Sequence, residues 1–157
     1  MSIFNSFLYR STQIIQILIF IAGCYYFGIS VFGWIKRKED SCKNYSPVKK
    51  FALVIAAHNE ELVIAHIIDS LKLQNYPKEL YDIFVVADNC TDNTSKIAQE
   101  HGAIVYNRTN NELKGKGFAL EWMFEKIFEM ETNYDAISIF DADNIVSSNY
   151  LAEMNKQ

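Results

Sequence analysis

The sequence predicts an α/β fold, a doubly wound and mostly parallel sheet, preceded by one transmembrane helix. Three observations predict it. Residues 14–35 form an apolar run broken by a single glutamine. Beyond residue 50, short apolar runs alternate with helical patterns. Each of those runs ends in polar residues capable of chemistry.

The apolar run IIQILIFIAGCYYFGISVFGWI is 22 residues long, and about 20 suffice to cross the hydrocarbon of a bilayer as a helix. Trp34 sits where an interfacial ring belongs. A cleaved signal peptide fits less well, because it calls for a basic start and a shorter apolar stretch. Residues 36–50 then carry six basic and two acidic side chains. Lys and Arg resist translocation, so the chain after the helix is expected on the cytoplasmic side of the cell membrane. The division is an N-terminal segment, 1–37, a basic juxtamembrane linker, 38–50, and a domain, 51–157. The three cysteines are scattered and match no disulfide framework or zinc site.

Phe51–Ala57 (FALVIAA) is apolar without alternation, as a strand buried on both faces requires. Asn59 is expected to cap a following helix, with Glu60 and Glu61 in its first turn. Val63, Ile64, Ile67, Ile68 and Leu71 give that helix one apolar face. Tyr81–Ala87 is the second strand, followed by a capping loop and a helix over Thr94–His101. Gly102 suits that helix's C-terminal cap. Ala103–Asn107 is the third strand. A polar stretch, Arg108–Gly117, leads to a helix reaching about Glu131, with Leu120, Phe124, Ile127 and Phe128 on one face. Asp135–Phe140 is the fourth strand, and Ser148–Asn155 a last short helix. Alternating strands and helices of this kind predict a parallel sheet wound on both faces.

Ligands of such sheets bind beyond the carboxyl ends of the strands. Those ends are Ala57-His58-Asn59, Asp88-Asn89, Asn107-Arg108 and Asp141-Ala142-Asp143. Asp141 and Asp143 lie two residues apart, so in extended chain both side chains face one way. Oxygen ligands of that kind suit Mg²⁺ or Mn²⁺ completed by waters and phosphate oxygens. Asp92 and Thr91 fit capping, which leaves Asp88 for function. Lys114-Gly115-Lys116-Gly117 is a basic loop able to approach phosphates, but it lacks the spacing of an ATPase P-loop. No G-x-G-x-x-G follows the first strand, which disfavours a dinucleotide-binding oxidoreductase. Residues 51–157 hold seventeen acids against eight bases, so they repel nucleic acid.

Four runs together, VIAAHNEE (54–61), VVADNCTDNT (85–94), KGKGFAL (114–120) and FDADN (140–144), carry a family resemblance. The chain resembles the family 2 glycosyltransferases, and more narrowly the membrane-anchored inverting enzymes akin to cellulose and poly-N-acetylglucosamine synthases. The resemblance implies a GT-A fold binding a nucleotide-sugar, a UDP-sugar by preference, with a divalent Mg or Mn ion. It implies that Asp88 holds the base and that Ala56, His58 and Asn59 line the nucleotide pocket. Lys116 would lie near the nucleotide, Asp141 would face the ribose and the metal, and Asp143 the metal. The acceptor would be a saccharide or a lipid-linked group. Ala87-Asp88 departs from the family's paired acids, and Asn89-Cys90 from its Gly-Ser. The catalytic base of the family comes from a later acidic motif, expected beyond Gln157. The chain therefore reads as the donor-binding half of a longer enzyme. The alternative readings are a catalytically inactive, membrane-anchored interaction module and, less well supported, a metal-dependent phosphohydrolase.

Overall fold

The computed structural model describes residues 2–34 and 46–156; the basic residues 36–38 and Cys42 fall outside them. The chain divides into two compact units, Met1–Lys43 and Asn44–Gln157.

The described residues of the first unit form one helix, α1, Ser2–Trp34. It starts well before the apolar run because residues 2–13 contain no proline or glycine to break it. Within it Tyr9–Val31 is 23 residues long with mean hydropathy 2.1, and none of that window is buried. At 1.5 Å per residue this is about 35 Å, enough to cross a bilayer core.

The second unit is a four-stranded sheet of β1 (Phe51–Ala57), β2 (Tyr81–Asp88), β3 (Ile104–Arg108) and β4 (Ala136–Asp141). The spatial order is β3-β2-β1-β4, and every adjacent pair is parallel. The doubly wound expectation holds. β1 lies between two neighbours and is buried nearly throughout, which is why its sequence shows no alternation. Its side chains divide by the period of two. Leu53 and Ile55 join one core with Ile64, Ile67, Ile68 and Leu71 of α2 (Ile64–Lys72), Ala98 of α3 (Thr94–Glu100) and Leu151 of α5 (Tyr150–Met154). Ala52 and Val54 join a second core with Phe84, Val86 and Ala119, Met123 and Ile127 of α4 (Lys116–Phe128). The chain steps outward from β1 to β3, then returns across β1 to β4, so the carboxyl ends of the strands frame a crevice.

Local expectations were met unevenly. α3 ends as predicted: Gly102 takes φ +84°, its N–H donates to the Gln99 carbonyl, and the Ala103 N–H reaches back to Ala98. Those two bonds make a Schellman cap. Asn59, in contrast, caps no helix. α2 begins only at Ile64, and Asn59 sits at φ 56°. Its carboxamide oxygen instead accepts the Thr91 N–H at 2.8 Å, tying two site loops together. The buried face of α4 is also rotated from the expected one. Ala119, Met123 and Ile127 are buried, while Phe128 is 77% exposed and the helix stops there rather than near Glu131. The expected stripe is right at Ile127, which is buried, and at Leu120, which packs against the core, but Met123 rather than Phe128 sits on the sheet.

Candidate nucleotide-binding site

Strand register assembles the site. Ala57 pairs with Ala87 and Ala56 with Asp141, so the carboxyl ends of β1, β2 and β4 stand side by side. Asp88 pairs with Arg108 at the ends of β2 and β3. A pocket of about 490 Å³ opens over these ends. Its floor is Ala56, Ala57 and Ala119, and its walls are His58, Asp88, Asn89 and Thr91 on one side and Asn111, Lys114, Gly115 and Lys116 on the other.

Asp88 is buried at 6% exposure, and a carboxylate there needs a charged partner. Arg108 supplies it, with Nη1 donating to Oδ1 at 2.5 Å. Asn89 Nδ2 donates to the same oxygen at 3.1 Å. Asn89 adopts φ 51°, a conformation that asparagine tolerates well. It also receives the Asn110 N–H on its Oδ1 at 2.9 Å. The other amine of Arg108 donates to the Leu113 carbonyl at 2.8 Å. One buried guanidinium thus holds both the pocket acid and the loop forming the opposite wall. His58 lies exposed at the end of β1, its Nδ1 2.7 Å from the Asp88 carbonyl oxygen.

A second layer fixes the loop after β2. The Asp92 carboxylate accepts the Thr94 N–H and hydroxyl at 3.0 and 2.6 Å on one oxygen and the Glu61 N–H at 3.1 Å on the other. Burial alone would raise the Asp92 pKa, but the Thr94 hydroxyl and amide and the Glu61 amide outweigh it and hold the group below its usual value. Asp92 thus binds the first amide of α3 from one position before the N-cap, which is Asn93 and makes no side-chain cap bond, while Thr91 bonds Asn59 instead. Burial, the largest influence, pushes the Cys90 thiol up against the opposing bonds from Asn59 and Thr94, which disfavours the thiolate.

Across the crevice Lys116 Nζ is paired with Asp141 Oδ1, both side chains being largely exposed. β4 ends at Asp141, and Ala142 and Asp143 turn away from the strand, with the Asn144 N–H closing back on the Asp141 carbonyl. The expectation of extended chain through both carboxylates is therefore corrected: the strand stops at Asp141, and residues 142–143 form a turn closed by the Asn144 N–H, with Ala142 buried in the core. Asp143 is exposed. Among the described residues no three His, Cys, Asp or Glu side chains form a metal-holding group.

Every residue singled out in the sequence thus lies at the carboxyl edge of the sheet. Ala56, His58, Asp88 and Lys116 line the pocket directly; Asn59 braces its rim through Thr91; Asp141 is tied to it through Lys116, and Asp143 stands two residues on, in the turn after β4. Sequence reasoning named Asn89 and Arg108 only as strand-end residues and gave no role to Asn111. Arg108 was legible as an arginine at a strand end, but its partner is set by β2–β3 register, which only the folded sheet supplies.

The chain was compared with known proteins. It is 35% identical over 108 residues to the "Probable glycosyltransferase YdaM" of Bacillus subtilis (strain 168), covering 65% of this chain and 24% of that protein. It is 32% identical over 105 residues to the "Beta-monoglucosyldiacylglycerol synthase" of Nostoc sp. (strain PCC 7120 / SAG 25.82 / UTEX 2576), covering 64% of this chain and 21% of that protein. The chain therefore spans a quarter or less of the length of these curated relatives. In fold it is similar to the mannosyltransferase PcManGT from Pyrobaculum calidifontis, solved in complex with GDP-Man and Mn²⁺. The TM-score is 0.59 at 21% identity, covering 76% of this chain and 34% of that one. Residues 52–156 match the family described as Glycosyl transferase family 2, and the chain belongs to that family.

Proposed function

We propose that the domain binds a nucleotide-sugar, a UDP-sugar, as donor for transfer with inversion to a saccharide or lipid-linked acceptor, at the cytoplasmic face of a membrane that α1 spans. The observation that carries the proposal is the pocket at the strand ends, with an acid on one wall and a basic loop on the other. Those walls complement the two halves of such a ligand. A nucleobase offers ring N–H donors, and a carboxylate is an acceptor only; a diphosphate brings negative charge. Lys114 and Lys116 would offset that charge, and Gly115, at φ +113°, lets the backbone come close. The N-terminus of α4 begins at Lys116, where free amides and the helix dipole favour an anion.

Asp141 and Asp143 are the residues that would hold a divalent cation. They fit one, because Mg²⁺ and Mn²⁺ take one or two carboxylates and complete their shell with waters and substrate phosphates. A third protein ligand is not required. When bound, the ion supplies Lewis-acid stabilisation of the leaving diphosphate. Lys116 would then move from Asp141 toward the phosphates. The pair is exposed, so breaking it costs little.

Titration of the full chain in detergent with UDP, in Mn²⁺ and in chelator, tests the proposal. Binding is expected with Mn²⁺, with a loss on the order of tenfold or more in Asp143→Ala, comparable to deleting a charge-assisted contact. A folded chain with no affinity for UDP in Mn²⁺ would contradict the proposal.

A further inference from the structure

We propose that Arg108 is the positioning residue of this pocket: through one guanidinium it sets the aim of Asp88 and the placement of the 109–115 loop together, and so controls nucleobase selectivity. The inference rests on the nucleotide reading above and adds to it a specificity determinant at the end of β3.

Three observations carry it. Arg108 and Asp88 are both buried, with side-chain exposures of 6% and 8%. Among the described residues, every hydrogen bond to the Asp88 carboxylate falls on Oδ1, from Arg108 Nη1 and Asn89 Nδ2. Oδ2 is thus left as the acceptor this pocket-lining side chain can offer a ligand. Finally, Nη2 of the same guanidinium donates to the Leu113 carbonyl. The loop is also pinned from within, since Asn110 Oδ1 accepts the Glu112 and Leu113 N–H groups. Arg108 therefore joins the two walls of the pocket through a planar fork that a lysine cannot reproduce.

An ion pair that only fastened β2 to β3 would predict different behaviour. It would tolerate lysine, which keeps the charge, and its loss would affect stability without changing which base is preferred. A carboxylate held at a fixed angle with one free oxygen accepts the ring N–H of uracil, whereas cytosine presents a bare ring nitrogen there. Releasing the carboxylate lets it turn away, and that discrimination fades.

The experiment uses the full chain in detergent, as wild type and as Arg108→Lys. A second variant, Arg108→Met with Asp88→Asn, removes both charges so that neither is buried unpaired. Two readouts are taken: amide hydrogen exchange of residues 110–113 without nucleotide, and affinity for UDP and for CDP in Mn²⁺. Both variants are expected to exchange faster at 110–113 while β1 and β2 stay protected. UDP affinity should fall on the order of tenfold, the worth of a hydrogen bond to a charged group, and the preference for UDP over CDP should fall toward one. A folded Arg108→Lys chain with wild-type loop protection, UDP affinity and UDP preference overturns the inference and leaves nucleotide binding standing. A folded wild-type chain without UDP affinity overturns the nucleotide reading, and the inference with it.

Discussion

At the scale of single residues, the site joins one buried ion pair, Asp88 and Arg108, to exposed charges on Lys114, Lys116 and Asp141, and their partners were partly readable. Asp88 stood out in the sequence because neighbouring Asp92 and Thr91 were better suited to capping, and Asp92 does bind the first amide of α3. What a strand end does not reveal is who sits across from it, so Arg108 stayed unassigned until the β2–β3 register paired the two. Asp88→Ala should cost about 3–5 kcal/mol of stability, the penalty for leaving a buried charge without its partner, measured by urea unfolding. Asp92 gives a pH dependence of known sign. Its folded pKa is lowered from the ordinary 3.8, so its contribution is fully present above that value. It is lost as pH falls through the depressed folded value. Asp92→Ala should therefore destabilise the domain by about 1 kcal/mol near neutrality, with the gap to wild type closing in acid.

Secondary-structure elements were the most legible level, because burial on both faces leaves a direct imprint on a strand. FALVIAA reads as a strand buried on both faces, and β1 occupies such a central position. Helix phase was harder to read. In α4 the apolar residues outnumber the buried positions, so composition could not say that Met123 rather than Phe128 packs on the sheet. Helix starts also misled, since Asn59 has the chemistry of a cap yet serves a loop. Met123 is fully buried, and Met123→Ala should cost about 2–5 kcal/mol, whereas Phe128→Ala should be nearly neutral. Gly102→Ala should cost about 1–2 kcal/mol by forcing a Cβ into the left-handed region. Open space is not the issue there, because the added carbon would meet only Lys72 Nζ at 3.6 Å. Thermal denaturation of these variants checks the assignments.

For the whole molecule, two physically different solvents are written into one chain. A helix with Arg10 as its one charged residue and with exposed apolar side chains lies in one unit, and an acidic α/β sheet makes the other. The charge partition that first separated them is a property of sequence alone. The pocket is a property of the fold, since its lining joins the ends of β1 and β2 to residues 111–119, which are distant in the chain. The orientation proposed here predicts that, in right-side-out vesicles, protease spares the sheet domain until the membrane is opened. The central claim is that a nucleoside diphosphate occupies the pocket at the carboxyl ends of β1 and β2. Hydrogen-exchange footprinting of the full chain with UDP and Mn²⁺ tests it most directly. The account predicts slowed exchange at residues 56–59, 88–91 and 111–117, with no change at the α5 end of the domain. A footprint elsewhere, or none at saturating UDP, would contradict it.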